Sequence, residues 1–333
     1  MLEDSLLLQR VHDHHHEARV RLGCSVAYLD ELARVEGWYH PGMRGGAVPG
    51  PPSTAVAAVY SHPKLPWNYF NHAVVLRQVE ADLPRIARTI GNLLMERERP
   101  GCIELELDYH SGLPSRLLTT QEVSSRGHAW VSALAASGYF ACDQLGLMGM
   151  EIEADSTGTP CGGARAETDS SSAGDSDCQA SERRTRRLAR GAAPPGFHLR
   201  PMAAREVGMQ VMLHRAGFEV SSRPTATEQR LMRSNLQARV RYQWAVEDVS
   251  ERPVGTAALL AVNGTAEIFA VAVVPGYRRR GLGAALVCNC LEEAAKEGCT
   301  LAYLETEMGS GASRLYEAIG FRPAWRRVTF LSA

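Results

Sequence analysis

Between residues 197 and 333 the apolar positions alternate between a two-residue period and a helical one. That alternation predicts a short strand at 198–202, helices at 203–214 and 225–238, and strands at 242–249, 254–262 and 265–274. Asn263-Gly264 between the last two is the sequence of a two-residue hairpin turn. An amphipathic helix follows at 282–297, closed by Gly298, then a strand at 301–306, a helix at 311–319 and a final strand at 326–331.

The first half is less regular. Residues 5–35 suggest one or two helices, and 37–54 form a Gly- and Pro-rich loop. Strands are expected at 55–60, 72–79 and 103–108, with helices at 82–98 and 127–137. Ala135-Ala136-Ser137-Gly138-Tyr139-Phe140 mirrors Glu317-Ala318-Ile319-Gly320-Phe321, with strands following each. The halves therefore read as a weak internal repeat, with an unrelated α+β domain as the alternative for the first. Between them, 154–196 is rich in Ser, Gly, Asp and Arg, too polar to offset its ordering entropy, and reads as a flexible linker. The expected organisation is an N-terminal α+β domain at 1–153, the linker, and a second domain at 197–333.

The densest chemical signal lies at the junction of the 265–274 strand and the 282–297 helix. The strand ends in Ala272-Val273-Val274, Pro275 follows, and Arg278-Arg279-Arg280-Gly281-Leu282-Gly283-Ala284 leads into the helix. A strand, a Gly/Arg turn and a helix N-terminus together present bare backbone N–H groups to an anion. The glycines let the chain approach phosphate oxygens with no Cβ in the way. In the first half the corresponding strand is followed by Glu80-Ala81-Asp82-Leu83-Pro84, which has no such glycines, and Leu134 stands where the second half has Tyr316.

Val273-Val274-Pro275 leading into Arg278-x-x-Gly281-x-Gly283, with Tyr316-Glu317-Ala318-Ile319-Gly320-Phe321 downstream, resembles the GNAT family of acyl-CoA N-acyltransferases. The resemblance covers 198–333. It implies an α/β fold with a mixed α+β sheet whose two central strands splay apart, pantetheine entering the gap like an added strand. The repeat extends this to a degenerate GNAT-like domain in the first half. The resemblance also implies that Ala272, Val273, Val274, Arg278, Arg279, Arg280, Gly281, Leu282, Gly283 and Ala284 hold acetyl-CoA, with the Val273 amide facing the acyl carbonyl as oxyanion donor. Glu267, fourteen residues before Gly281, matches the interval of the catalytic glutamate in histone acetyltransferases of this superfamily, and is the proton acceptor. The resemblance likewise implies that Tyr316 is the acid for the departing thiolate. Relatives often carry Asn seven residues before that tyrosine; this chain has Gly309, with Ser310 or Ser313 as substitutes. Glu305 and Glu307 could select a cationic acceptor, act as the base, or lie in solvent.

Composition narrows the field. The 333 residues suffice for two cores, charged residues are 22%, and the net charge is −1. That balance calls for neither nucleic acid nor an anionic membrane, and no apolar run approaches a membrane span. The start of the chain is unlike a secretory signal. Eight cysteines without Cys-x-x-Cys pairs suggest reduced thiols and a cytoplasmic protein. His12, His14, His15, His16 and Glu17 invite a metal reading, but no partner is spaced to finish a site, so the expectation is a solvated helix face and no metal. Trp67, Tyr69 and Phe70 read as core, with an acceptor-pocket lining as the alternative. Arg183, Arg184, Arg186, Arg187 and Arg190 read as a solvated linker end.

The sequence reading is thus an N-acetyltransferase that moves acetyl from acetyl-CoA to a primary amine of a small molecule or peptide, in a ternary complex. Alternatives are a non-catalytic acyl-CoA sensor and a transferase with a carrier-bound donor. A homodimer is left open.

Overall fold

Asn263 and Gly264 both take positive φ, 50° and 73°, and pair Val262 with Thr265 across a two-residue hairpin. That hairpin lies at the centre of the C-terminal half of the computed structural model, which describes residues 4–29, 57–62, 71–76, 83–95, 102–108, 132–152 and 192–332. The 37–54 loop, Trp67 to Phe70, the linker arginines, and Cys161 and Cys178 lie outside the described residues.

The chain packs as two units. The C-terminal unit comprises the described residues of Gly149–Leu304 and Gly311–Arg322; the N-terminal unit comprises those of Leu2–Met148, Glu305–Ser310 and Pro323–Ala333.

The N-terminal unit contains α1 (Asp4–Arg21), β1 (Ser25–Leu29), β2 (Ala57–Ser61), β3 (His72–Val75), α2 (Leu83–Met95), β4 (Cys102–Asp108) and most of β5 (Tyr139–Glu151). Residues 132–136 are helical, within the helix expected at 127–137. The strand order is β1-β2-β3-β4-β11-β5. Here β11 (Arg322–Ser332) is the last strand of the whole chain, which the sequence reading places in the 197–333 domain. It runs antiparallel to β4, from Trp325↔Asp108 to Leu331↔Cys102.

The two faces of this sheet differ in chemistry. Alternate residues share a face. Ala57, Val59, Ala73, Val75 and Ile103 join Val328 and Phe330 of β11 in one apolar cluster. They pack against Leu83, Ile86, Ala87, Ile90 and Leu94 of α2, whose spacing is that of an amphipathic helix. Tyr60, His72 and Glu104 take the alternate positions.

The C-terminal unit contains β6 (Phe197–Pro201), α3 (Val207–Gly217), α4 (Ala226–Gln237), β7 (Arg241–Glu247), β8 (Arg252–Val262), β9 (Thr265–Val273), α5 (Leu282–Lys296), most of β10 (Leu301–Thr306) and α6 (Gly311–Ile319). Its strands run β10-β9-β8-β7-β6. β6 to β9 are antiparallel neighbours and β9 pairs parallel with β10, so the sheet is mixed as expected. Thr256 hydrogen-bonds Gln210 of α3, while a Cβ on the next residue back, Gly255, would meet Leu286 of α5 at 3.1 Å. Successive strand residues face opposite ways, so α3 and α5 cover opposite faces. α4 begins at a capping box: Thr225 Oγ1 accepts the Glu228 N–H at 3.1 Å while Glu228 accepts the Thr225 N–H.

Candidate active site

The pairing of β9 with β10 is short. It runs from Leu301↔Thr265 to Tyr303↔Glu267, and β9 then continues to Val273 with no β10 partner opposite. On its other edge β9 stays on β8, with a register shift between Thr256 and Ala258. Ala270, with φ of 51°, lies at this bulge. One edge of β9 is therefore open beyond Glu267.

Backbone alternation fixes what that edge offers. Val274 N–H donates to Val254 O at 2.9 Å, toward β8. Successive amides in a strand point to opposite sides, so the Val273 N–H points away from β8. The Val273 carbonyl accepts Arg278 Nε at 3.0 Å. Arg278 also donates to Gly217 O at 2.8 Å and to Glu219 at 3.0 Å, tying the end of α3 to the end of β9. A Cβ at Gly217 would come within 2.6 Å of Ala272 Cβ, so only glycine permits this approach. The guanidinium of Arg278 is thus engaged within the protein, and the Arg278 backbone N–H donates to Pro275 O at 3.2 Å.

After Val274, residues Pro275–Tyr277 form one 3-10 turn. Arg279 has φ of 63° and Gly281 of 87°, on either side of Arg280. Gly281 caps α5 in the left-handed conformation with no side-chain cap. The first α5 bond closes from Ala285 N–H to Gly281 O at 3.0 Å, so the amides of Leu282, Gly283 and Ala284 lie in the first turn without an intrahelical acceptor. They form an anion cradle with the helix dipole behind it. Arg280 stacks over Tyr277 at 5.1 Å. Arg279 and Arg280 are exposed and add positive charge at the rim.

Glu267 and Tyr316 are both buried, at 9% and 6% exposure. Glu267 is the last β9 residue paired with β10, where the edge opens. Tyr316 is in α6 and meets Phe321 edge-on, centroids 6.2 Å apart. Burial pushes its phenol up to about 12, so it carries a proton at neutral pH. Gly309 has φ of 75°, a conformation that glycine and asparagine accept best. Ser313 is fully buried in α6.

Two expectations change, those for Glu305 and for the α1 histidines. Glu305 is held by the Arg327 guanidinium, which occupies the carboxylate otherwise offered to a cationic acceptor. Glu307 is exposed. The histidines of α1 are not on a solvated face: His12, His14, His15 and His16 are at most 7% exposed. The six described cysteines are free thiols.

Sequence reasoning missed the Arg278–Gly217 tie and the bulge at Ala270. The run Ala270-Val271-Ala272 carries no bulge signal; Gly217 at a helix end reads as an ordinary terminator. A cavity of about 290 Å³ lined by Leu199, Tyr242, Asn289 and Glu293 shares no lining residue with the turn or β9.

Residues 211–321 match the family model for the acetyltransferase (GNAT) family. The matched stretch, a third of the chain, is similar to a GNAT domain. A GCN5-related N-acetyltransferase from Kribbella flavida superposes with a TM-score of 0.52 at 17% identity, over 83% of this chain and 86% of that one. A tandem GNAT protein from the clavulanic acid biosynthesis pathway gives 0.51 at 16%, over 84% and 79%. At these identities the likeness is one of fold, and it reaches well beyond the GNAT domain. Among curated proteins, the [ribosomal protein bS18]-alanine N-acetyltransferase of Escherichia coli K12 is 40% identical over 60 residues, 18% of this chain. The match spans 40% of that relative's length. No helix among the described residues is long and apolar enough to cross a membrane.

Proposed function

We propose that the protein is an acyl-CoA-dependent N-acyltransferase, in the first instance an acetyltransferase acting on a primary amine by direct attack in a ternary complex. The observation that carries this reading is the left-handed Gly281 opening α5 beside the unpaired edge of β9. Amides of 282–284 suit the diphosphate of coenzyme A. Donor binding uses uncharged backbone, so exposed Arg279 and Arg280 supply attraction rather than specificity.

The chemistry then follows from three groups. Glu267 takes a proton from the acceptor amine as it attacks the thioester carbonyl. The Val273 N–H stabilises the resulting oxyanion; such a donor is worth about 3 kcal/mol. Tyr316 gives its proton to the sulfur as the C–S bond breaks. The presence of both Glu267, where β9 opens, and buried Tyr316 favours a transferase over a passive acyl-CoA sensor, because a sensor needs neither.

The acceptor is a small-molecule or peptide amine. Because the curated relatives act on the alanine of a ribosomal protein, peptides with N-terminal alanine head the panel to be tried. Purified full-length protein should bind acetyl-CoA and release free coenzyme A when given the right amine. Tight acetyl-CoA binding with no thiol release across primary amines, alanine peptides and polyamines would replace the enzyme reading with the sensor.

A further inference from the structure

The N-terminal unit buries an unusual set of polar side chains on the sheet face away from α2. His12, His15, His16 and Arg19 recur at helical spacing on α1, and all are at most 7% exposed. Such a stripe is normally apolar. Polar groups removed from water at this scale need partners. His16 Nδ1 meets Tyr60 Oη at 3.3 Å, and the Tyr60 ring packs edge-on against His15 at 5.4 Å.

At the centre three ligand-type atoms converge. His15 Nε2 lies 3.0 Å from His72 Nε2. His72 Nε2 lies 3.7 Å from Glu104 Oε2. All three atoms fall within 4.8 Å of one another. Two ligand atoms on one tetrahedral zinc ion, at ordinary bond lengths, are about 3.3 Å apart, so the His15–His72 and His72–Glu104 spacings each need only a few tenths of an ångström of adjustment. The residues come from three elements, α1, β3 and β4, and β3 and β4 are parallel neighbours with Val74 opposite Glu104. Glu104 Oε2 is buried and accepts no hydrogen bond, which is costly for a carboxylate oxygen. Burial and nearby positive charge hold His15 well below the usual histidine range, the neutral state a ligand must have.

We propose that His15, His72 and Glu104 form a site for a divalent first-row transition ion of the zinc type, linking α1 to β3 and β4. Two imidazoles and one carboxylate suit such an ion, with water as a fourth ligand. The ion is structural, because it lies in the unit that lacks the phosphate turn. Two cations face the cluster. Arg327 Nε lies 3.6 Å from Glu104 Oε2, and its charge is offset by Glu305. Arg19 also faces His15, so the carboxylate is indispensable for holding a cation here. Glu104 is 14% exposed, against 0% for His72, and is the solvent-side member of the set.

The full chain is stripped with a chelator and titrated with Zn²⁺, then with Co²⁺ as a spectroscopic probe. One ion per chain, a rise in melting temperature with Zn²⁺, and visible Co²⁺ absorption are expected. Glu104→Gln and His72→Gln should weaken uptake by ~10²-fold or more, beyond the loss seen for outer-shell changes. No stoichiometric uptake by folded wild-type protein overturns the proposal and leaves a hydrogen-bonded neutral histidine pair. Unchanged uptake in the folded variants overturns it too. Should the variants fail to fold, X-ray absorption of the wild-type cobalt form decides: nitrogen and oxygen ligation with two imidazoles supports the site, and any sulfur ligand overturns it.

Discussion

In the C-terminal unit Gly320 turns the chain at φ of 124° and Phe321 enters the core at 1% exposure. In the N-terminal unit Gly138 turns it at 83° and Tyr139 enters at 6%. Both glycines follow a helix and precede a strand, and each puts an aromatic ring where the sheet needs bulk. The side chain on the preceding helix differs: buried Tyr316 in one, buried Leu134 in the other. The strand-to-helix turn differs as well, with Gly281 and Gly283 in one and Glu80-Ala81-Asp82-Leu83-Pro84 in the other. The shared features are those a backbone of this shape requires; the differing ones are those a donor and a reaction require. The polar groups that the N-terminal unit buries lie instead on α1, β3 and β4.

The comparison breaks hardest at β11. Deleting 322–333 should unfold the N-terminal unit, because Val328 and Phe330 belong to its core. Each fully buried side chain is worth about 2 kcal/mol, and the β4 ladder goes with them. Hydrogen exchange should show β3 and β4 amides losing protection; native-like protection would mean β11 is dispensable to that sheet.

Donor binding is the next test. Gly283→Asp should lower coenzyme A affinity by ~10²-fold or more (about 2.7 kcal/mol,), since it adds negative charge at the cradle and a Cβ that would already meet Leu315 at 3.3 Å. Calorimetry on wild type should give one site per chain. Two equivalent sites would return donor binding to the N-terminal unit.

Chemistry should separate from binding in the C-terminal unit. Glu267→Gln should slow turnover by ~10²-fold near neutral pH, as for loss of a general base. Tyr316→Phe should slow it with coenzyme A affinity unchanged. Wild-type rates in both, where chemistry limits, would leave positioning and the Val273 amide as the whole of catalysis.

Alkali probes both cores at once. Burial raises the phenols of Tyr139, Tyr242 and Tyr316 to about 12 from an ordinary 10. A raised acid stabilises the fold fully below the ordinary value and loses that contribution as pH climbs from 10 to 12. Phenolate absorbance from these residues should therefore appear above pH 10 and together with unfolding; ionisation near 10 in folded protein would show the rings are wet.

Tyr139→Phe should matter least, within about 1 kcal/mol, because its hydroxyl makes one long bond of 3.4 Å to Ala87 O. Thermal melts check this. A larger loss would mean that the N-terminal Gly-aromatic corner depends on its hydroxyl where the C-terminal one does without.

The sequence by itself determined whatever depends on local rules. Asn263-Gly264 specified its hairpin because both residues tolerate positive φ. The apolar periods located all eight strands and α-helices from 225 to 331 to within a few residues, and Arg278-x-x-Gly281-x-Gly283 located the turn. Tertiary structure decided what depends on residues far apart in the chain. The partner of β11 was not legible, since an alternating strand fits any open edge of matching polarity. Nor was the burial of His12, His15 and His16, because polar residues at helical spacing read as solvent-facing until another sheet face supplies Tyr60, His72 and Glu104. Arg278 carried the family signature, yet only the approach of Gly217 to Ala272 shows it bracing α3 against β9. Local propensity acts over a few bonds; pairing, burial and electrostatic convergence are set by what the rest of the chain brings alongside.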